Sequence, residues 1–322
     1  MNRVRSLLAS LCGAVSLLVP VSAAHAQAYP SQPVKLIVPF PAGSATDTIA
    51  RLIGHELQEA FGQPFIVDNK PGAQGMIGGE LVAKSAPDGY TILVAAVSFA
   101  ATESLFRKVP YSAVNDFTPI DRIVTTPLAL MVKSDFPAKT PKEFIEYVKA
   151  RPGKVAAGYG SSSSQVCIAQ LESMAKVSVL SVPYKGIPLA VNDVLGGVIQ
   201  FSFVDLGNAM AQAKGGTLRA IAVTSEKRSP VVPDWPALSE VLPGYDIDAW
   251  IAFIGPKGLP KEIAQKLHDA TVKALAKPDV QARLATVGFT PSPLEPARMD
   301  AFIKSEVDKW AKLVKQAGIA PE

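Results

Sequence analysis

The chain has 322 residues, room for one large domain or two of ordinary size. Hydrophobic residues make up 48% and charged residues 19%, so it can bury a sizeable core, which excludes a disordered chain. The net charge is only +4 with no basic run longer than two residues, and there are two Cys and three His. A nucleic-acid binder with a basic stripe, a zinc site of several ligands and a disulfide framework are thereby excluded.

Arg3 and Arg5 form a positive start, and an apolar stretch runs from Leu7 to Val21. Ala24-His25-Ala26 before Gln27 is an A-x-A cleavage pattern, so residues 1–26 are expected to be a cleaved export signal and the mature protein periplasmic. Ser10, Gly13, Ser16 and Pro20 interrupt the stretch, which falls short of the ~20 residues of a membrane span. Leu11 stands before Cys12 where a lipoprotein needs a small residue. Without residues 1–26 the chain has 30 basic and 28 acidic side chains, and Cys167 is the one thiol. Its neighbours Val166 and Ile168 predict that it is buried.

The elements alternate. Val34–Pro39 reads as a strand, then a small-residue loop leads to a helix from Ala45 to Phe61 with Ile49, Leu52, Ile53 and Leu57 on one face and Gly62 ending it. Phe65–Asp68 is a strand, and the turn Pro71–Gly75 leads into a helix carrying Ile77, Leu81 and Val82. Tyr90–Val97 is a buried strand and Leu128–Val132 another. Thr140 and Pro141, a cap and an N1 proline, begin a helix to Ala150. Val155–Ala157 is a strand, Gly158–Ser164 a loop, and a helix follows to Ala175. Strands at Val179–Val182, Ile199–Val204 and Arg219–Val223 precede a mostly helical last third, Pro260–Gln316. This is an α/β protein with largely parallel sheets.

Few residues could carry bond-making chemistry. After removal of the leader only His55 and His268 remain, each within an amphipathic helix and each expected at the surface. There is no G-x-S-x-G elbow, no phosphate loop with its lysine, and the Gly72–Gly79 run lacks dinucleotide spacing. Two loops stand out instead: Gly43-Ser44-Ala45-Thr46-Asp47 and Gly158–Gln165, which holds Gly160, Ser161, Ser162, Ser163 and Ser164. Each joins a strand to a helix N-terminus, where free amides, small residues and hydroxyls suit an anion. Two such sites suit the two ends of a dicarboxylate without an arginine clamp; equally, the hydroxyls merely cap the helices.

The run Tyr29–Pro33, Leu36–Asp47 and Ala50-Arg51 resembles the Bug family of extracytoplasmic solute receptors, which serve tripartite tricarboxylate transporters. The similarity continues through Val67–Ala73, Ala86–Thr91, Asp116-Phe117, Val182–Gly186, Leu218–Ser225 and Lys227–Pro230. It implies a two-lobed, type II periplasmic-binding fold, each lobe a mixed, mostly parallel sheet flanked by helices, closing on a small carboxylate, whether a dicarboxylate, an amino acid or an aromatic acid. It implies no cofactor and no metal, a monomer, and the permease's membrane subunits as partners. Phe40–Asp47 and Gly158–Gln165 match its two pocket loops, Asp205 an acidic position near the cleft, and Ser98 and Phe99 a polar loop at the cleft.

The chain departs from the family where Gly43-Ser44 replaces a Gly pair, Gln165 a His and Phe99 a polar residue. Gln165 gives no pH-sensing imidazole in the pocket. Phe40, Phe99, Tyr159 and Tyr184 are expected to make either an aromatic cleft, favouring a longer or aromatic carboxylate, or part of the core. The crossings between lobes fall near Leu128–Val132 and Trp250–Ile254, giving one lobe of residues 27–127 plus 249–322 and another of 128–248, hinged to close on the ligand. The alternatives are a co-receptor presenting its ligand state to a membrane kinase and a periplasmic enzyme using Asp47 or Asp205 as base.

Overall fold

The computed structural model describes residues 29–184, 187–316 and 318–321; the expected leader, and Lys185 and Gly186 of the motif at Val182–Gly186, lie outside the described residues. Apolar patterning and caps decide the first elements. β1 (Val34–Val38) leads to α1 (Ala45–Phe61), where the Ser44 side chain accepts from the Asp47 amide and Gly62, at φ 68°, closes the helix in the left-handed conformation that glycine adopts without strain. β2 (Phe65–Asn69) is followed by a 3-10 turn at Ala73–Gly75, α2 (Met76–Ala83) and β3 (Thr91–Ala96).

The chain then differs from expectation. Ser98 and Phe99 do not form a loop: they begin α3 (Ser98–Leu105), and Phe99 is buried against Tyr111 and Phe117, with ring centroids 5.8 and 4.9 Å away. β4 (Phe117–Lys133) is 17 residues long, and the expected Leu128–Val132 is its last third. It continues through α4 (Pro141–Lys149), β5 (Ala156–Tyr159), α5 (Ser162–Ala175), β6 (Leu180–Pro183), α6 (Ile187–Leu195), β7 (Phe201–Asp205), α7 (Leu206–Lys214) and β8 (Leu218–Val223). β9 (Asp248–Pro256), α8 (Lys261–Leu275), α9 (Pro278–Thr286), β10 (Thr290–Pro291) and α10 (Pro296–Gln316) complete it. No described helix is long and apolar enough to cross a membrane.

The strands follow the order β2-β1-β3-β9-β4-β7-β5-β6, with β8 and β10 also on β4. Up to Pro127, β4 pairs with β9; from Leu128 it pairs with β7 and β8. Two half-sheets thus share one strand, and the molecule has two lobes. Parallel pairing holds where helical crossovers join the strands, at β1/β2, β1/β3, β5/β6 and β5/β7. Among the described residues every antiparallel ladder involves β4 or β9, the strands that carry the chain between lobes.

The lobes are held by contacts at these crossings. Thr224, fully buried, is a hub: Leu128 donates its amide to Oγ1 at 2.8 Å, Oγ1 donates to the Ile247 carbonyl at 2.7 Å, and backbone bonds link Thr224 to the same two residues. Nearby, α7 of the second lobe meets the turn after α9 backbone to backbone. A Cβ on Gly207 would lie 2.6 Å from the Val287 carbonyl oxygen, and one on Gly288, at φ 81°, 2.5 Å from the Gly207 nitrogen. α10 packs on α3 of the first lobe and on α5 of the second.

Cys167 is buried as expected, and burial pushes its thiol up. His55 is exposed, but His268 is buried at 7% exposure. It continues the apolar stripe of Ala264, Thr271 and Leu275 on α8, and its Nδ1 stands 3.3 Å from Asp121 Oδ2 on β4 without hydrogen-bond alignment. Burial pushes the Asp121 carboxyl up to about 8, against the pull of the Leu294 amide and Arg122.

Thr224→Val keeps the shape but leaves the Leu128 amide and the Ile247 carbonyl buried without a side-chain partner. It is expected to lower unfolding stability by about 2–4 kcal/mol in denaturant titration, with little change in slope.

Candidate functional site

A cleft of about 380 Å³ opens between the lobes, lined by Phe40, Gln74, Ala96, Val97, Ser98, Ala101, Gly160, Ser161, Ser162, Ser163 and Trp310. Its floor is apolar and its rim carries hydroxyls and an amide. None of the lining residues is charged.

The first loop is folded by Asp47. This buried carboxylate accepts from the Gly43 amide at 2.9 Å, from Arg51 Nε at 3.0 Å and from Asn69 Nδ2 at 2.9 Å. Asn69 also donates to the Phe40 carbonyl at 3.0 Å, which holds Phe40 at the cleft. Burial pushes the Asp47 carboxyl up, but the hydrogen bonds from Arg51, Gly43 and Asn69 outweigh it and keep the group below the usual carboxylate range.

The second loop folds on itself. Ser161 caps α5 by accepting from the Ser164 amide at 3.2 Å. The Ser164 hydroxyl, fully buried, accepts from the amides of Gly160 and Ser161 and donates to the Ser161 carbonyl at 2.9 Å. This capping box leaves the amides of Ser162 and Ser163 as the leading donors of α5, with no acceptor inside the helix. α3 starts beside them: Val97, at its N-cap position, contributes no side-chain cap, so the amides of Ser98 and Phe99 stand in the same position. Two helix N-termini, one from each lobe, thus contribute residues to one neutral cleft.

Of the residues singled out in the sequence, Phe40, Ser98, Gly160, Ser161, Ser162 and Ser163 line the cleft together. Gly43, Ser44, Ala45, Thr46 and Asp47 do not; Ser44 caps α1 and Asp47 braces the loop. Ser164 is spent inside its own loop, and Gln165, half-buried, is not at the cleft surface. Asp205 is not there either: it caps α7, accepting from the Asn208 amide at 3.1 Å and its Nδ2 at 2.8 Å. The aromatic lining is Phe40 and Trp310. Phe99 belongs to the core, Tyr159 packs against it, and Tyr184 donates to Asp193 at 2.6 Å.

Sequence reasoning missed Gln74, Ala96, Val97, Ala101 and Trp310. Trp310 is 1% exposed and its indole nitrogen donates to Glu306 Oε2 at 3.3 Å, an atom that also accepts from Trp250 at 2.7 Å. A second depression, about 430 Å³, lies between α1 and α9 with Arg51 and Arg283 in its wall; Arg51 is engaged with Asp47.

The depressed Asp47 carboxyl stabilises the fold above its unfolded value near 4 and loses that contribution as pH falls through its lower folded value. Asp47→Asn is therefore expected to cost about 2 kcal/mol at pH 7, and the gap between wild type and variant to narrow as pH falls below the ordinary carboxylate range, measured by denaturant titration across pH.

A family model described as the tripartite tricarboxylate transporter family receptor matches residues 49–319. BugT of Bordetella pertussis is 34% identical over 99% of this chain and 98% of its own length. A Pseudomonas sp. (strain P51) protein of the tcbD–tcbE intergenic region is 33% identical over 93% and 91%. A protein of R. palustris solved with adipate superposes with a TM-score of 0.81 at 32% identity, covering 91% of this chain and all of that one. MatC from Rhodopseudomonas palustris with bound malate gives 0.74 at 31%, over 89% and 100%. The periplasmic binding protein BugD gives 0.77 at 34%, over 91% and 100%. Long relatives matched end to end, and a fold shared at these scores, leave one assignment: the chain belongs to the tripartite tricarboxylate transporter receptor family, the Bug-type extracytoplasmic solute receptors.

Proposed function

We propose that this protein captures a small dicarboxylate in the cleft between its lobes and delivers it to the membrane subunits of a tripartite tricarboxylate-type permease. The observation that carries this reading is the meeting of two helix N-termini, at Ser98 and Ser162, on a cleft with no charged lining. Each terminus offers unpaired amides and a partial positive charge to an anion. The apolar floor of Phe40, Val97 and Trp310 suits the carbon chain between two carboxylates. Adipate and malate, bound by two relatives, have that form.

The lobes of this reading are residues 27–127 plus 249–322 and residues 128–248. The change of β4 partners at Pro127/Leu128 and the start of β9 at Asp248 support those limits. Ligand contacts to both lobes favour the closed arrangement, since only differential binding shifts such an equilibrium. Export through the leader at residues 1–26 puts the mature monomer in the periplasm, as the description of BugD as a periplasmic binding protein supports. In this reading the solute is bound and released unchanged, and a cleft lining without carboxylate, imidazole or thiol supports a receptor over an enzyme.

Mature protein, starting at Gln27, should be screened by thermal shift and calorimetry against adipate, malate, glutamate, benzoate and acetate. A dicarboxylate is expected to bind best, stabilising the fold by about 2.7 kcal/mol at a hundredfold excess over Kd. Ser163→Ala is expected to weaken that ligand about tenfold without lowering the melting point of the free protein. Best binding of an amine without a carboxylate, or no response to any acid, would overturn the reading.

A further inference from the structure

Gln74 reaches the cleft from a turn whose backbone is unusual. Gly72, Ala73, Gln74 and Gly75 have φ values of 137°, 46°, 52° and 100°, four successive positive angles, two of them at residues with a Cβ. Left-handed backbone at such residues is costly and persists only where the surrounding structure enforces it. What this turn secures is a contact across the cleft: the Ser162 hydroxyl, at the N-terminus of α5 in the second lobe, donates to Gln74 Oε1 at 2.8 Å. Both residues line the cleft. Among the described residues Gln74 makes no other side-chain hydrogen bond, so its two N–H donors are not engaged with the protein.

We propose that Gln74 is a specificity-determining residue of the first lobe, bridging to Ser162 when the lobes close and donating its amide N–H to a carboxylate oxygen of the bound solute. This rests on the carboxylate-receptor reading above. A primary amide is uncharged, so it stabilises an anionic oxygen without requiring a counter-charge in the cleft before the ligand arrives. Its oxygen keeps the Ser162 hydroxyl oriented, so one side chain couples the turn before α2 to the N-terminus of α5. The strained turn holds it there and limits the rotamer freedom lost on binding.

The test uses the mature protein with adipate and adipate monomethyl ester as probes, read by calorimetry. Gln74→Gly relieves the positive φ and so retains the fold, while removing the amide. Gln74→Glu keeps the length and places a negative charge where the amide stands. Gln74→Gly is expected to weaken adipate at least tenfold. Gln74→Glu is expected to weaken adipate at least thirtyfold, and to weaken the singly charged ester by a smaller factor; a purely structural role would move both ligands equally. Wild-type affinity for adipate in both variants, or equal losses for the two ligands in Gln74→Glu, overturns the proposal while leaving the receptor reading intact. Failure of the wild type to bind adipate, malate or any other dicarboxylate in the screen above overturns both.

Discussion

The buried hydroxyl of Thr224 holds together the two places where the chain passes between lobes. It accepts from Leu128, where β4 changes partners, and donates to Ile247, just before β9 begins. Because a buried amide or carbonyl left unpaired is costly, this hub fixes both crossings relative to each other. The shared strand β4 then sets where the half-sheets lie, and the close backbone approach of Gly207 and Gly288 adds a contact that no side chain cushions. The cleft is a consequence: α3 follows a strand of one half-sheet, α5 follows a strand of the other, and the arrangement of β4 brings their N-termini together.

On the proposed function, that arrangement would hold an anion without a cation. Lys or Arg in a closing cleft would need a partner before the ligand arrives, since an unpaired charge loses its hydration on burial. Helix termini and hydroxyls carry fixed dipoles and need none; each terminus contributes roughly 0.3–1 kcal/mol when exposed and up to about 2 in a partly buried setting. The charges near the first loop have structural work: Asp47, Arg51 and Asn69 form a closed network behind Phe40. Glu306 acts similarly under the floor, where its carboxylate accepts from both Trp250 and Trp310.

Local signals in the sequence located what local chemistry determines. The limits of α1 follow from Ser44, the apolar spacing and Gly62, and α4 from Thr140 and Pro141. The second loop was legible as a run of small hydroxyl residues opening a helix, and four of its members line the cleft. The first loop had the same appearance, yet Ser44 and Asp47 are consumed in capping and bracing it, a division of labour that composition does not reveal. Only Leu128–Val132 of β4 was legible in the sequence; the earlier part of the strand holds Pro119 and Pro127. In the fold they sit beside a register irregularity and at the change of partners, where a missing N–H is tolerated. His268 could have been found buried from its spacing with Ala264, Thr271 and Leu275. Gln74 and Trp310 had no such signal, because each reaches the cleft only through tertiary packing, one from a glycine turn and one from the far end of α10.

The most direct test of this account is a crystal structure of the mature protein with a bound dicarboxylate. One carboxylate is predicted at the N-terminus of α5, within hydrogen-bond reach of the Ser162 and Ser163 amides, and the other towards Ser98 and Phe40, with no Lys or Arg in contact with either. A carboxylate on Arg51 and Arg283 in the depression between α1 and α9, or a cationic side chain drawn into the cleft to meet the ligand, would contradict it.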